Sequence, residues 1–196
     1  MTGQPHPATE FHRPFAEPVR FDLADPGTLR HLWDLQRISY AVEARLIGFD
    51  GIPPLHESLE QLRACDESFL GVRDGSRLVG AVGWTRLPNG ALDICRLVVH
   101  PDAHRRGVAT ALLDALDSIE LAESTVVSTA TANLPAVALY RRRGFIPVGE
   151  RHVAPGVTVT LLERKRAGHA PVERGAQADS LLTRAQHRAR SGGVGQ

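Results

Sequence analysis

Apolar residues recur along the chain in two rhythms. Leu29, Leu32, Trp33 and Gln36 through Tyr40 and Val42 follow a spacing of three and four, which predicts an amphipathic helix. Asp25–Pro26 supplies its start, a capping carboxylate before a proline at the first helical position. A second long helix is predicted over Gly107–Leu121, burying Val108, Ala111, Leu112, Ala115, Leu116 and Ile119. Shorter helices are predicted at His56–Cys65, with Leu59 and Leu62 inward, and at Asn133–Arg143. Extended runs at Val19–Leu23, Phe69–Val72, Leu78–Trp84, Leu92–Val99, Thr125–Thr129, Phe145–Arg151 and Val157–Leu162 read as strands. Asp74–Gly75 and Asn89–Gly90 are the turns between the second, third and fourth of them. The order β-αα-βββ-α-β-α-ββ predicts an α/β (α+β) domain, a mixed sheet with helices on its faces rather than a regular βαβ array.

Composition narrows the class. The 196 residues fit one domain with end extensions, and 42% hydrophobic with 23% charged residues is ordinary for a globular chain. Lys+Arg 23 against Asp+Glu 22 gives a net charge of +1, so no global field invites nucleic acid or anionic lipid. Apolar runs are too short for a membrane span, and the N-terminus has no apolar stretch of signal-peptide length. Cys65 and Cys95 are too few for a disulfide scaffold, and the histidines show no metal-binding spacing, so no metal is expected. The expectation is a soluble, cytoplasmic protein. Residues 1–16, with Pro5, Pro7 and Pro14, read as a flexible arm, and residues 17–163 as the domain. Residues 164–196 carry seven Arg/Lys against two acids and read as a basic, disordered tail with room for a short helix around Ala176–Arg190.

Chemistry concentrates between Leu97 and Thr110, LVVHPDAHRRGVAT. A buried strand ends before Pro101, and a basic, glycine-containing turn opens the long helix. Free N–H groups at a helix start, with the dipole behind them, attract an anion. Gly107 lets a ligand approach the backbone, Ala109 is small, and Arg105 and Arg106 add charge, so a pyrophosphate is the natural guest.

His104-Arg105-Arg106-Gly107-Val108-Ala109 resembles the Gln/Arg-x-x-Gly-x-Gly/Ala turn of the GNAT superfamily of N-acetyltransferases, with His in the first place. Asn133-x-x-Ala136-x-x-Leu139-Tyr140, followed by Arg-Arg-Arg-Gly144-Phe145, is similar to that family's second element. The resemblance covers about Val19 to Glu163. It implies a central, mostly antiparallel sheet of about seven strands flanked by about four helices. Acetyl-CoA would then be the acetyl-donor cosubstrate, lying where the fourth and fifth strands splay. Its pantetheine would pair with the backbone of Leu97, Val98 and Val99, its pyrophosphate would rest on the amides of Arg105 through Thr110, and Asn133 and Tyr140 would face it from the other side.

The same resemblance implies Tyr140 as the acid that protonates the departing thiolate, which a phenol protonated at neutral pH can do. Asp93 stands where some family members carry a basic glutamate. By strand parity Asp93, Cys95, Leu97 and Val99 would share one face. Cys95 reads as a small buried residue rather than a nucleophile. The acceptor side would be built by about Leu29–Glu67. Its acids, Asp34, Glu43, Asp50, Glu57, Glu60, Asp66 and Glu67, outnumber Arg30, Arg37, Arg45 and Arg63, which suits a cationic small-molecule amine. The apolar loop GFDGIPPL, from Gly48, reads as a lid over that acceptor.

The leading expectation is therefore direct acetyl transfer from acetyl-CoA to an amine of a small molecule or peptide in a ternary complex. Two other classes stay open, a non-catalytic acyl-CoA-binding sensor and a nucleic-acid-associated protein using the basic tail. Homodimerisation through the C-terminal strands is a further implication of the resemblance.

Overall fold

A computed structural model describes residues 15–166; the arm over residues 1–14 and the tail beyond residue 166 lie outside the described residues. The chain runs β1 (Val19–Phe21), α1 (Pro26–Ile47), α2 (Pro53–His56), α3 (Leu59–Arg63), β2 (Ser68–Asp74), β3 (Arg77–Arg86), β4 (Leu92–Val99), a 3-10 turn (Pro101–Ala103), α4 (Val108–Ile119), β5 (Ser124–Ala130), α5 (Leu134–Arg142), β6 (Ile146–Ala154) and β7 (Val157–Lys165). Apart from one added short helix, α2, the element order is that read from the sequence.

Local chemistry sets the ends. Asp25 caps α1 by accepting from Thr28 N at 2.7 Å, and Gly48 closes it at φ 68°. α2 forms at the end of the stretch read as a loop, and the helix predicted over His56–Cys65 is α3, shortened to Leu59–Arg63. Ser58 and Gln61 form a capping box that starts α3, and Glu57 before it is extended. The stripe of α4 stops at Ile119, which is 44% exposed rather than buried, because Val108, Leu112, Leu113 and Leu116 already fill the core.

The seven strands form one sheet in the order β1-β2-β3-β4-β5-β7-β6. Every pair is antiparallel except β4 with β5, which is parallel. Leu70, Val82, Trp84, Ile94 and Val127 meet α4 and the Tyr140–Phe145 end of α5 on one face. Phe69, Leu78, Ala81 and Val98 meet Leu29, Leu32 and Leu35 of α1, with Leu62 of α3, on the other.

Two irregularities position the site. In the β3–β4 ladder Gly83 opposes Arg96 while Trp84 opposes Ile94, so Cys95 is an extra, bulged residue. The bulge overturns the simple parity: Leu92, Ile94, Leu97 and Val99 pack on the α4 face, whereas Arg96 and Val98 turn to α1. Asp93 therefore does not share a face with Leu97 and Val99. The second irregularity is the brevity of the parallel pairing. It joins Leu92, Asp93 and Ile94 to Thr125, Val126 and Val127, and beyond that point β4 and β5 part.

Candidate active site

Where the two strands part, β4 keeps a free edge. His100 N donates to Val79 O at 2.8 Å, which continues the β3–β4 ladder one step past Val99. In an antiparallel ladder alternate residues face the partner strand. The amides and carbonyls of Val98 and Arg96 thus face β3, and those of Leu97 and Val99 face the gap. Of the three strand residues expected at the cofactor, Leu97 and Val99 offer backbone there, while Val98 turns its own to Ala81 and its side chain to the core.

The Val99 carbonyl is held from two sides. Ser39 Oγ of α1 donates to it at 3.1 Å, and His104 Nε2 lies 3.0 Å away. His104, at the variant first place of the turn, thus closes the turn back onto the strand end. The turn itself is exposed from His104 to Gly107. Arg105 has φ 61° and Gly107 φ 84°, and a Cβ added at Gly107 would meet nothing within 4 Å. Left-handed residues before a helix start bring successive N–H groups to one side, a concavity for an anion. The Arg106 guanidinium lies 4.1 Å from the Phe15 ring centroid. Val108 is buried, Ala109 half-buried, and Thr110 exposed on the first turn of α4.

Across the gap stands α5. Asn133 caps it, its Oδ1 accepting from Ala136 N at 3.2 Å, with a proline in the first turn. Tyr140 is 5% exposed and packs edge-on to Phe145 at 5.5 Å between centroids. No described residue hydrogen-bonds its hydroxyl. Burial, and then the charge of Glu43, raises the Tyr140 phenol well above its ordinary value. Glu43 of α1 is itself raised by burial, against a hydrogen bond from the Asn133 side chain that favours its charged form. Tyr40 is raised by burial in the same surroundings.

Asp93 sits at the last paired stretch, between Thr85 and Val126, half-buried. Cys95 Sγ lies 3.3 Å from the Asp93 carbonyl oxygen and 3.6 Å from Thr85 Oγ1. Among the described residues no group of three His, Cys, Asp or Glu side chains could hold a metal ion, and no helix is long and apolar enough to cross a membrane.

The wall between β4 and α1, expected to face the acceptor, holds a network that sequence reading missed. Arg96, 6% exposed, donates to Glu67, to Glu57 and to Gln36 Oε1 at 2.7 Å. Burial opposes the Arg96 charge, and Glu67 and Glu57 outweigh it. Two of the acids that seemed to favour a cationic guest are thus already paired. Arg96 itself was the available signal, a lone cation in the apolar strand LDICRLVV, which must find carboxylates to be buried. The expected lid is also fastened down: Trp33, Gln36 and Arg37 of α1 donate to the carbonyls of Glu57, Pro54 and Leu55 at 2.8, 3.2 and 3.1 Å.

Residues 30–145 match the Acetyltransferase (GNAT) family, and the chain belongs to that family. It is 39% identical over 133 residues to the UPF0157 protein YqkA of Bacillus subtilis (strain 168), a match that covers 67% of this chain and 38% of that protein. The fold is similar to that of the PaiA N-acetyltransferase of Thermoplasma acidophilum, solved in complex with coenzyme A, with TM-score 0.63 and 18% identity over 76% of this chain and 98% of that one. It is also similar to the ribosomal-protein-S18-alanine N-acetyltransferase of Escherichia coli, with TM-score 0.61 and 15% identity over 80% and 98% of the two chains.

Proposed function

We propose that this chain moves an acetyl group from acetyl-CoA to an amine of a small molecule or peptide by direct transfer within a ternary complex. The observation that carries the reading is the parting of β4 and β5 directly beyond the Ile94–Val127 pair, with the turn of left-handed Arg105 and Gly107 at its end. The Leu97 backbone and the Val99 N–H would hold the pantetheine as an added strand, and the N–H groups from Arg105 to Thr110 would hold the pyrophosphate. Acetyl-CoA supplies an activated thioester carbonyl when bound. This chain's residues would align the amine with it and exclude water from the gap. Tyr140, buried and protonated, would give its proton to the leaving sulfur. Asp93, the base expected from the sequence, is the carboxylate that β4 carries where it is still paired with β5.

The acceptor would enter from the end of α1. There a cavity of about 320 Å³ is lined by Ile47, Ala130, Thr131 and Thr158 among others, next in the chain to Asn133. Its walls are small, apolar and hydroxylated, which suits the body of an amine rather than a second charge.

Release of CoA thiol tests the reading, with spermidine, L-lysine, kanamycin and an N-terminal alanyl peptide offered as acceptors. Turnover with one of them, lost in Tyr140→Phe, supports transfer. Binding of acetyl-CoA with no turnover on any of the four favours the acyl-CoA sensor instead.

A further inference from the structure

A continuous sheet keeps the helices on its two faces apart. The parting of β4 and β5 lets α1, on one face, reach α5, on the other, and Glu43 stands at that crossing. Ser39, Glu43 and Ile47 lie four apart, so they form one stripe of α1. The stripe starts at Ser39, whose hydroxyl is bonded to the Val99 carbonyl at the β4 edge. It ends at Ile47, in the wall of the cavity of about 320 Å³. Between them the Glu43 carboxylate meets the Asn133 side chain. Asn133 Oδ1 is committed to capping α5, so its NH₂ group is what faces Glu43. Asp93, by contrast, lies where the two strands are still paired.

We propose that Glu43 is the general base that takes the proton from the acceptor amine; this rests on the acetyl-transfer reading above. The acceptor arrives as an ammonium. Glu43 takes one proton, and the freed nitrogen pair forms the C–N bond as the thioester C–S bond breaks. Tyr140 gives its proton to the departing sulfur, the second amine proton restores the phenol, and Glu43 returns its own to solvent. The groups facing Glu43 are Tyr40 from its own helix and Asn133 and Tyr140 from α5. Burial keeps both phenols neutral, and the nearby Arg96 charge is taken up by Glu57 and Glu67. Burial also raises the carboxyl, which moves it toward the strength a base for an ammonium needs.

Glu43→Gln is the test, because Gln keeps an oxygen for Asn133 and removes only the proton acceptor. With the fastest of the four amines, kcat is expected to fall about 100-fold or more, and the acidic limb of the kcat/KM profile to disappear. Acetyl-CoA affinity by calorimetry should stay within about threefold of wild type, as expected for loss of a transition-state interaction alone. Independently of turnover, a ¹³C carboxyl titration of the free protein should place Glu43 above the ordinary glutamate value. An ordinary value overturns the inference. So does an acidic limb that survives in Glu43→Gln and vanishes in Asp93→Asn, and that result leaves the transfer reading standing. A wild type that binds acetyl-CoA and acetylates none of the four amines overturns both.

Discussion

Arg96 grips Glu67 by two prongs, Nε to Oε2 and Nη2 to Oε1, each at 2.8 Å, with both side chains 5% exposed. The same guanidinium reaches Glu57 Oε2 at 2.8 Å, and Glu57 Oε2 also accepts from Gln36 at 2.8 Å. One cation therefore ties β4, immediately after its bulge, to α1 and to the residues flanking α3. Removing it strands two carboxylates in a buried wall, whereas removing Glu67 leaves Glu57 to hold the charge. Arg96→Met should cost about 3–5 kcal/mol in urea unfolding, and Glu67→Gln clearly less. Equal losses would mean that the cluster acts through packing alone.

Glu43 gives a pH signature with a definite sign. Its folded carboxyl is raised by burial, so the folded state holds its proton more tightly than the unfolded chain. Stability then falls as pH rises from the ordinary glutamate value through the raised one. Glu43→Gln should be more stable than wild type near neutral pH, with the difference vanishing below about pH 4, where both states carry the proton. Urea titrations at several pH values read this directly.

Tyr140→Phe separates chemistry from packing. The ring keeps its edge contact with Phe145, and the hydroxyl gives up no bond to a described residue. Unfolding free energy should change by less than about 1 kcal/mol, while kcat falls about 100-fold or more.

The turn before α4 holds a left-handed arginine, a conformation that costs an L-residue about 1–2 kcal/mol. Arg105→Gly should therefore melt above Arg105→Ala by about 1 kcal/mol of stability at equal loss of charge. Equal melting of the two would mean that Arg105 is not held at positive φ in solution.

These contrasts mark what could be read from the chain alone. The α4 stripe as far as Leu116, the turns at Asp74–Gly75 and Asn89–Gly90, and the β4 limits are local patterns, and the structure reproduces them. The turn before α4 was legible because Gly107 and two arginines sit side by side before a helix. The bulge at Cys95 was not, since one extra residue leaves no mark in an alternating strand yet reverses every face beyond it. Nor was the Arg96 cluster, whose partners lie 29, 39 and 60 residues away in sequence. Glu43 reads as one more polar position on an amphipathic helix. Only the parting of two strands far along the chain places it opposite Asn133.

The central claim, that the gap and its turn hold acetyl-CoA, is tested most directly by calorimetric titration of acetyl-CoA into wild type and into Arg105→Ala/Arg106→Ala. The account predicts one site per chain in the wild type and affinity weaker by about tenfold or more in the double variant, for two lost charge-assisted contacts. Absence of binding in the wild type, or equal affinity in the two proteins, would contradict it.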